Sequence, residues 1–399
     1  MNDIDSRADW GLRPVINVSG TMTSLGASIV AEPAIEAMRR ILPQFVEMAD
    51  LQRHASGVIA RLTGAETGFV TASCASGISL AVAGCIAGDD LSAIERLPEI
   101  RGERNEVVIQ AGHLVNFGAP VEQSVRLTGA RVVSIGQATS ASPYHLAGAI
   151  TERTAAALYV VSHHVVEYGQ IPLELFCQVA HQHGVPVIVD AASEYDLRKF
   201  LRQGADIVLY SGHKFLGGPT SGIVAGAREL VRRAWLQNHG IGRGMKVGKE
   251  SIAGVCAALQ AWETRDHAGI RAREQQTLEM WSAGLASQPG VAALIEPDPT
   301  DNPLCRLKVT IDPALARTTA WDLADALAAG DPPVIVRGHL VEHGFFELDP
   351  CNLHAGEDRR VLARLLAELE RARQAPDPLI SDFGQRILRQ QEAIVRWPD

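Results

Sequence analysis

Val185-Pro-Val-Ile-Val-Asp-Ala-Ala192 and Ser211-Gly-His-Lys-Phe-Leu-Gly-Gly218, with Lys214 standing 24 residues after Asp190, decide how this chain folds. The first stretch is an apolar, β-branched run ending in a carboxylate, the pattern of a strand buried on both faces of a mainly parallel sheet. The run Ala205–Tyr210 ends in the same way beside a lysine. Ligands of open α/β sheets bind outside the carboxyl ends of the strands, so the two strands deliver a carboxylate and an amine to one crevice.

Five more short runs extend the pattern in both directions: Gly68–Val70, Glu106–Gln110, Arg131–Ile135, Ala157–Ser162 and Gly222–Ala225. Helical patterns separate them, such as Pro172–His183, which carries proline in its first turn and Gly184 just past its end. The alternation predicts an α/β fold with a large domain over 55–262 built on a mainly parallel seven-stranded sheet. After a helical stretch over Ser251–Ser287 the strands thin out to Cys305–Ile311, Pro333–Arg337 and Phe345–Leu348, with helices at Ala320–Ala329 and Asp358–Arg373. That change predicts a smaller C-terminal α/β domain over 263–399. The first 54 residues hold no clear buried strand, and we expect an arm packing on the small domain or on a partner subunit.

With 399 residues, 46% hydrophobic and 21% charged, the composition is that of a globular protein. A net charge of -9 gives no electrostatic reason to hold a polyanion, which disfavours a nucleic-acid partner. The acidic first ten residues are unlike a secretory signal, and no apolar run reaches membrane-spanning length, so a soluble cytoplasmic protein is expected. Six scattered cysteines form no C-x-x-C pair and read as reduced, mostly small core residues.

An amine and a carboxylate facing one crevice are what pyridoxal 5′-phosphate (PLP) requires. The lysine forms a Schiff base, and an acidic partner keeps the pyridine nitrogen protonated so that the ring accepts electrons. An adjacent opposite charge moves a pKa by roughly 1–3 units, enough to decide whether the ring is cationic. Taken singly, Asp190 reads as a solvated strand-end carboxylate and Lys214 as a surface lysine; the pair in this setting carries the functional reading. Thr71-Ala-Ser-Cys-Ala-Ser-Gly77, between a short strand and the helical pattern Ile78–Ala87, offers a phosphate cradle centred on Ala75, Ser76 and Gly77. Close helix packing selects the same small residues. Ser211 and His213 stand beside the lysine as further phosphate donors.

These motifs resemble a family of fold-type I PLP enzymes, the group containing bacterial selenocysteine synthase and D-glucosaminate-6-phosphate ammonia-lyase. The likeness extends to Val15-Ile-Asn-Val-Ser-Gly-Thr-Met-Thr-Ser-Leu-Gly26, Gly242-Arg-Gly-Met-Lys-Val-Gly-Lys-Glu250 and Pro332-Pro-Val-Ile-Val-Arg337, nearly the whole chain. The resemblance implies that Lys214 is the Schiff-base lysine, Asp190 the pyridinium partner, Ala192 a contact on one ring face and His113 a stack on the other. For His113 the alternative is a satisfied strand-end histidine. Ser162 and His163 stand either as contacts to the ring hydroxyl or as packing and caps. Arg243, Lys246 and Lys249 read either as phosphate ligands reached across a dimer interface or as a solvated charge run. Arg337 reads either as a bidentate clamp for the substrate carboxylate or as a surface ion pair.

The resemblance implies α,β-elimination from a substituted small amino acid, with release of ammonia and a 2-keto acid. Alternatives are selenocysteine synthase-like replacement on seryl-tRNA, racemisation, aldol cleavage, or PLP binding without catalysis. A metal enzyme built on His163, His164, His181 and His183 is the remaining alternative; no metal site is expected, since the i, i+2 spacing of His181 and His183 on a helix turn does not direct both to one ligand point. A homodimer or larger homo-oligomer with shared active sites is implied as well.

Overall fold

The computed structural model describes residues 6–102 and 104–398. Its strands are, in chain order, β1 (Ile16–Val18), β2 (Thr67–Thr71), β3 (Glu106–Gln110), β4 (Arg131–Ile135), β5 (Thr154–Val160), β6 (Val187–Asp190), β7 (Ile207–Ser211), β8 (Gly222–Gly226), β9 (Val291–Pro297), β10 (Cys305–Ile311), β11 (Val334–Val336) and β12 (Phe345–Leu348). The fold divides into two compact units: Ile29–Arg265, and the residues up to Ser28 together with those from Asp266 onward.

The first unit is built on a seven-stranded sheet in the order β2-β8-β7-β6-β5-β3-β4. The pairs from β7 through β6, β5 and β3 to β4 are parallel, and β8 runs antiparallel to both β7 and β2. Every residue of β6, β7 and β8 is buried, as their unbroken apolar runs require. Burying each Val or Ile of β6 contributes about 1.5–3 kcal/mol, so this strand is anchored mainly by its side chains. Helix Cys74–Ala87 is apolar on nearly all sides and lies buried among β5, β6, β7 and helix Arg228–Leu236. Gly84 lets that helical contact close, since a Cβ there would stand 2.7 Å from the Ala234 amide nitrogen.

The second unit has a three-stranded antiparallel sheet, β12-β10-β9, and a parallel pair of β1 with β11. Its core gathers Trp281, Leu307, Val309, Leu327, Phe346 and Leu365. Among the described residues no helix is long and apolar enough to cross a membrane.

Several expectations shift. A strand does occur within the first 54 residues: β1 is three residues long, too short to show an alternation, yet Ile16 and Val18 are buried against β11. Residues 29–54 belong to the sheet-bearing unit, where Glu32–Ile41 packs on Lys249–Thr264. The helical stretch expected over Ser251–Ser287 is two helices, Lys249–Thr264 and His267–Leu285, because the Asp266 side chain accepts from Gly269 N–H and starts a new one. Strand β9 lacks a continuous buried run and went unread.

Candidate active site

Asp190 ends β6 at the carboxyl edge of the sheet and is 7% exposed. Two donors converge on its Oδ1: the Cys74 thiol at 3.2 Å and the Ala192 backbone N–H at 3.2 Å. Oδ2 accepts nothing from the described residues. Burial raises the Asp190 pKa above the usual carboxylate value, opposed by the Cys74 thiol, the nearby charge of Lys214 and the Ala192 amide. An acceptor of this kind, buried and half satisfied, is where a ligand cation or N–H donor gains most.

Lys214 lies in the turn between β7 and β8, half-buried and close enough to Asp190 for their charges to interact. The turn is closed by Gly217 N–H on the Lys214 carbonyl, by Gly218 N–H on the Gly212 carbonyl and by Gly212 N–H on the Ser221 carbonyl. Gly212 is required, since a Cβ there would lie 2.2 Å from Ser221 Oγ. The Arg265 guanidinium donates to the carbonyls of Phe215 and Leu216 at 3.0 and 3.1 Å. Arg265 stands far from the lysine in sequence and carried no sequence signal. Ser211 and His213 are buried beside Lys214; burial and then the lysine's charge hold His213 below its usual pKa.

The expected phosphate cradle is the N-terminus of helix Cys74–Ala87, one turn earlier than the helical pattern suggested. Ser73 and Ser76 form a reciprocal capping box, which spends the Ser76 amide on Ser73 Oγ, while the Gly77 N–H goes to the Ser73 carbonyl. The amides of Cys74 and Ala75 precede any intrahelical acceptor and are the ones left to meet an anion. Ala75, Ser76 and Gly77 thus all lie in the first turn of this helix, with Cys74 beside them. Gly222 opens β8 so closely against this turn that a Cβ would sit 2.2 Å from the Ser73 carbonyl oxygen. Cys74, read from the sequence as core filling, sits at the junction of this helix with Asp190; its place just before Ala75 was the available signal.

His113 follows β3 at the same edge and is 2% exposed. Its Nδ1 accepts from the Val160 N–H at 3.1 Å and its ring meets Tyr159 edge-on at 4.4 Å. A backbone N–H aimed at Nδ1 leaves the neutral ring's proton on Nε2, and burial lowers the pKa from 6.5 to about 4. His113 is a neutral imidazole at physiological pH. Val160 pairs with Asp190 across β5 and β6, so His113 and Asp190 share the edge.

Ser162 lies just past β5 at this edge, with its Oγ accepting the His164 N–H, and His163 and His164 pack ring to ring at 4.0 Å. Arg243 is exposed, in a segment whose Gly242 packs against Leu80, midway along the buried helix. Lys246 is exposed, and Lys249 bonds the Gln44 carbonyl. Arg337 belongs to the second unit and is no surface ion pair: it is 5% exposed, with Nε 3.0 Å from Glu347 Oε2 and Nη1 on the Ser19 carbonyl. Beside it Arg306 pairs with Asp298 and Asp349 at 2.6 and 2.9 Å, a buried cluster the sequence did not disclose. Gly20, at φ 87°, leaves room for Asp349 Oδ2, which a Cβ would approach to 3.0 Å.

PLP presents a pyridine nitrogen, an aldehyde and a phosphate. A buried carboxylate with one oxygen not engaged by the described residues, an amine within electrostatic reach of it and a helix N-terminus fit those three ends.

Comparison with known proteins shows the family. The model of the family SelA, L-seryl-tRNA selenium transferase, matches residues 15–319. The D-glucosaminate-6-phosphate ammonia lyase of Salmonella typhimurium is 37% identical over 91% of this chain and 97% of its own. A 5'-C-glycyluridine monooxygenase-decarboxylase of a Streptomyces species is 36% identical over 89% and 90%. The solved structure of a D-glucosaminate-6-phosphate ammonia-lyase superposes with a TM-score of 0.84 at 35% identity, covering 93% of this chain and all of that one. More distant solved structures, at 16% identity, share the fold-type I architecture alone.

Proposed function

Because this chain belongs to the SelA family and is similar along nearly its whole length to a D-glucosaminate-6-phosphate ammonia lyase, we propose that it is a PLP-dependent ammonia-lyase. In this reading it performs α,β-elimination on a substituted small amino acid and yields ammonia and a 2-keto acid. The observation that carries the cofactor assignment is the buried Asp190 carboxylate, one oxygen held by the chain and the other open, beside the Lys214 amine.

When bound, PLP supplies an electron sink that acidifies the substrate Cα–H. Lys214 is the residue to hold the aldehyde carbon and, as a free amine, to take the Cα proton. Asp190 would hold the pyridine nitrogen through Oδ2 and, as an anion, would favour its protonated form. The first turn of the helix, Cys74 through Gly77, would receive the phosphate, aided by Ser211 and His213. His113 and Ala192 would flank the ring, where the neutral imidazole would add no charge to compete with the pyridinium. Ser162 remains the candidate contact for the ring hydroxyl. Arg337 is the candidate for the substrate carboxylate, and Arg243 a second anion contact. A shared-site homo-oligomer goes with this reading, supported by a fully exposed Phe45 beside exposed Leu42 and Met48. Six free cysteines support a cytoplasmic setting.

The test is release of ammonia and keto acid from a panel of D- and L-amino acids that includes phosphorylated sugar amino acids. Purified protein carrying PLP that releases neither from any of them overturns the elimination reading. The 36% identity to the monooxygenase-decarboxylase favours one second reading, amino-acid decarboxylation with oxygen, which oxygen uptake and carbon dioxide release separate from elimination. Replacement on seryl-tRNA is disfavoured by the net charge of -9.

A further inference from the structure

We propose that Cys74 is a positioning residue for Asp190: its thiol hydrogen bond to Oδ1 fixes which carboxylate oxygen is presented to the cofactor's pyridine nitrogen. The inference rests on the reading of Asp190 given above and goes beyond it, because nothing in that reading uses the sulphur.

A carboxylate at a strand end turns easily about its last torsion, which has a broad, two-fold profile. The Ala192 amide alone is a local anchor on the same strand end. The thiol comes from a different element, the first residue of the helix beneath the sheet edge, and meets the same oxygen at 3.2 Å. Two anchors on Oδ1 from two directions leave Oδ2 as the open oxygen. The Ser211 hydroxyl stands beside the sulphur, so β7, the helix and β6 are joined through one atom.

A thiol suits this duty although it is a weak donor. Burial, followed by the charge of Asp190, raises the Cys74 pKa well above its usual value, so the sulphur keeps its proton and remains a donor at every working pH. It also helps Lys214 and the Ala192 amide to oppose the effect of burial on Asp190. Without it the carboxylate turns and becomes more basic, and the proton shared with the pyridine nitrogen moves toward Asp190.

The test compares Cys74→Ala, Cys74→Ser and Asp190→Asn. In the protein without cofactor, the infrared S–H band found by difference between wild type and Cys74→Ala is expected at the lowered frequency of a hydrogen-bonded thiol, and Asp190→Asn should return it toward the free value. In the holoenzyme, Cys74→Ala is expected to weaken PLP binding about fivefold and to shift the pH titration of cofactor absorbance. Cys74→Ser, which restores a donor, is expected to bring both back to within about twofold of wild type. A Cys74→Ala protein with unchanged PLP affinity and titration, while Asp190→Asn loses the cofactor, overturns the role of Cys74 alone. Unchanged PLP affinity in Asp190→Asn overturns the assignment of Asp190 and the role of Cys74 with it. An S–H band at the free frequency in the wild type overturns the hydrogen bond itself.

Discussion

Each unit of the molecule buries a carboxylate, and the two are treated in opposite ways. Asp349 sits among arginines: burial would raise its pKa, yet Arg306 at 2.9 Å and the nearby Arg337 hold it below the usual value. Asp190 is buried too, but its contacts are a thiol, one amide and the more distant charge of Lys214, and its pKa is raised. The first anion is neutralised by the protein and is a structural member. The second is left short of positive charge, the condition expected of a site that a ligand completes.

The contrast is broken most severely by exchanging the charges. Asp190→Asn should lower kcat/KM by roughly 100- to 1,000-fold, with PLP affinity reduced, while the cofactor-free protein loses no thermal stability. Asp349→Asn strands Arg306 and Arg337 without a buried anion and should cost about 3–5 kcal/mol of stability, read by chemical denaturation. A denatured Asp190→Asn protein alongside a stable Asp349→Asn protein would invert the assignment of the two carboxylates.

Acid titration of the cofactor-free protein sharpens the same comparison. Asp349, with its depressed folded pKa, contributes stability that is complete above the ordinary value of 3.8 and is lost as pH falls through the folded one. Asp190 acts with the opposite sign: its raised pKa costs stability at neutral pH, and the cost is relieved as pH falls from that raised value toward 3.8. His113 adds a third limb. Its pKa of about 4 against 6.5 means that the unfolded chain binds the proton first, so about 3 kcal/mol should be lost between pH 6.5 and 4. His113→Gln should flatten that limb, and a curve unchanged by the substitution would count against a neutral buried ring.

The smallest expected effect is at the brace of the lysine turn. Arg265→Lys cannot hold the carbonyls of Phe215 and Leu216 together with a planar fork, and kcat should fall about three- to tenfold with a smaller change in KM. Borohydride reduction followed by peptide mapping should still find Lys214 as the modified residue in this variant.

What could be read from the sequence follows from how local each signal is. The seven strands of the large sheet were legible because β-branched runs such as Val187–Asp190 are buried on both faces and need no partner to be recognised. The places of Asp190 and Lys214 were legible because one ends an apolar run and the other closely follows the next, both at the carboxyl edge of the sheet. Cys74, Arg265 and Arg306 were not: each acts through a residue at least 43 positions away, on atoms that only the fold brings within reach. Strand β1 was missed for a related reason, since three residues gain a period only from their register with β11. The role of Ser76 is not legible either, because a serine cap and a serine ligand look alike in a sequence until the hydrogen bonds are assigned.

β7 and β8 are antiparallel neighbours, with Ser211 paired to Gly222, so Lys214 rides on a hairpin whose two feet are stitched into the sheet. Such a segment cannot open and shut as a flap over the crevice. Any travel of the amine during turnover is confined to the swing of four methylenes above a stationary backbone, and a probe fixed to that backbone should report the same mobility whether the catalyst is idle or working.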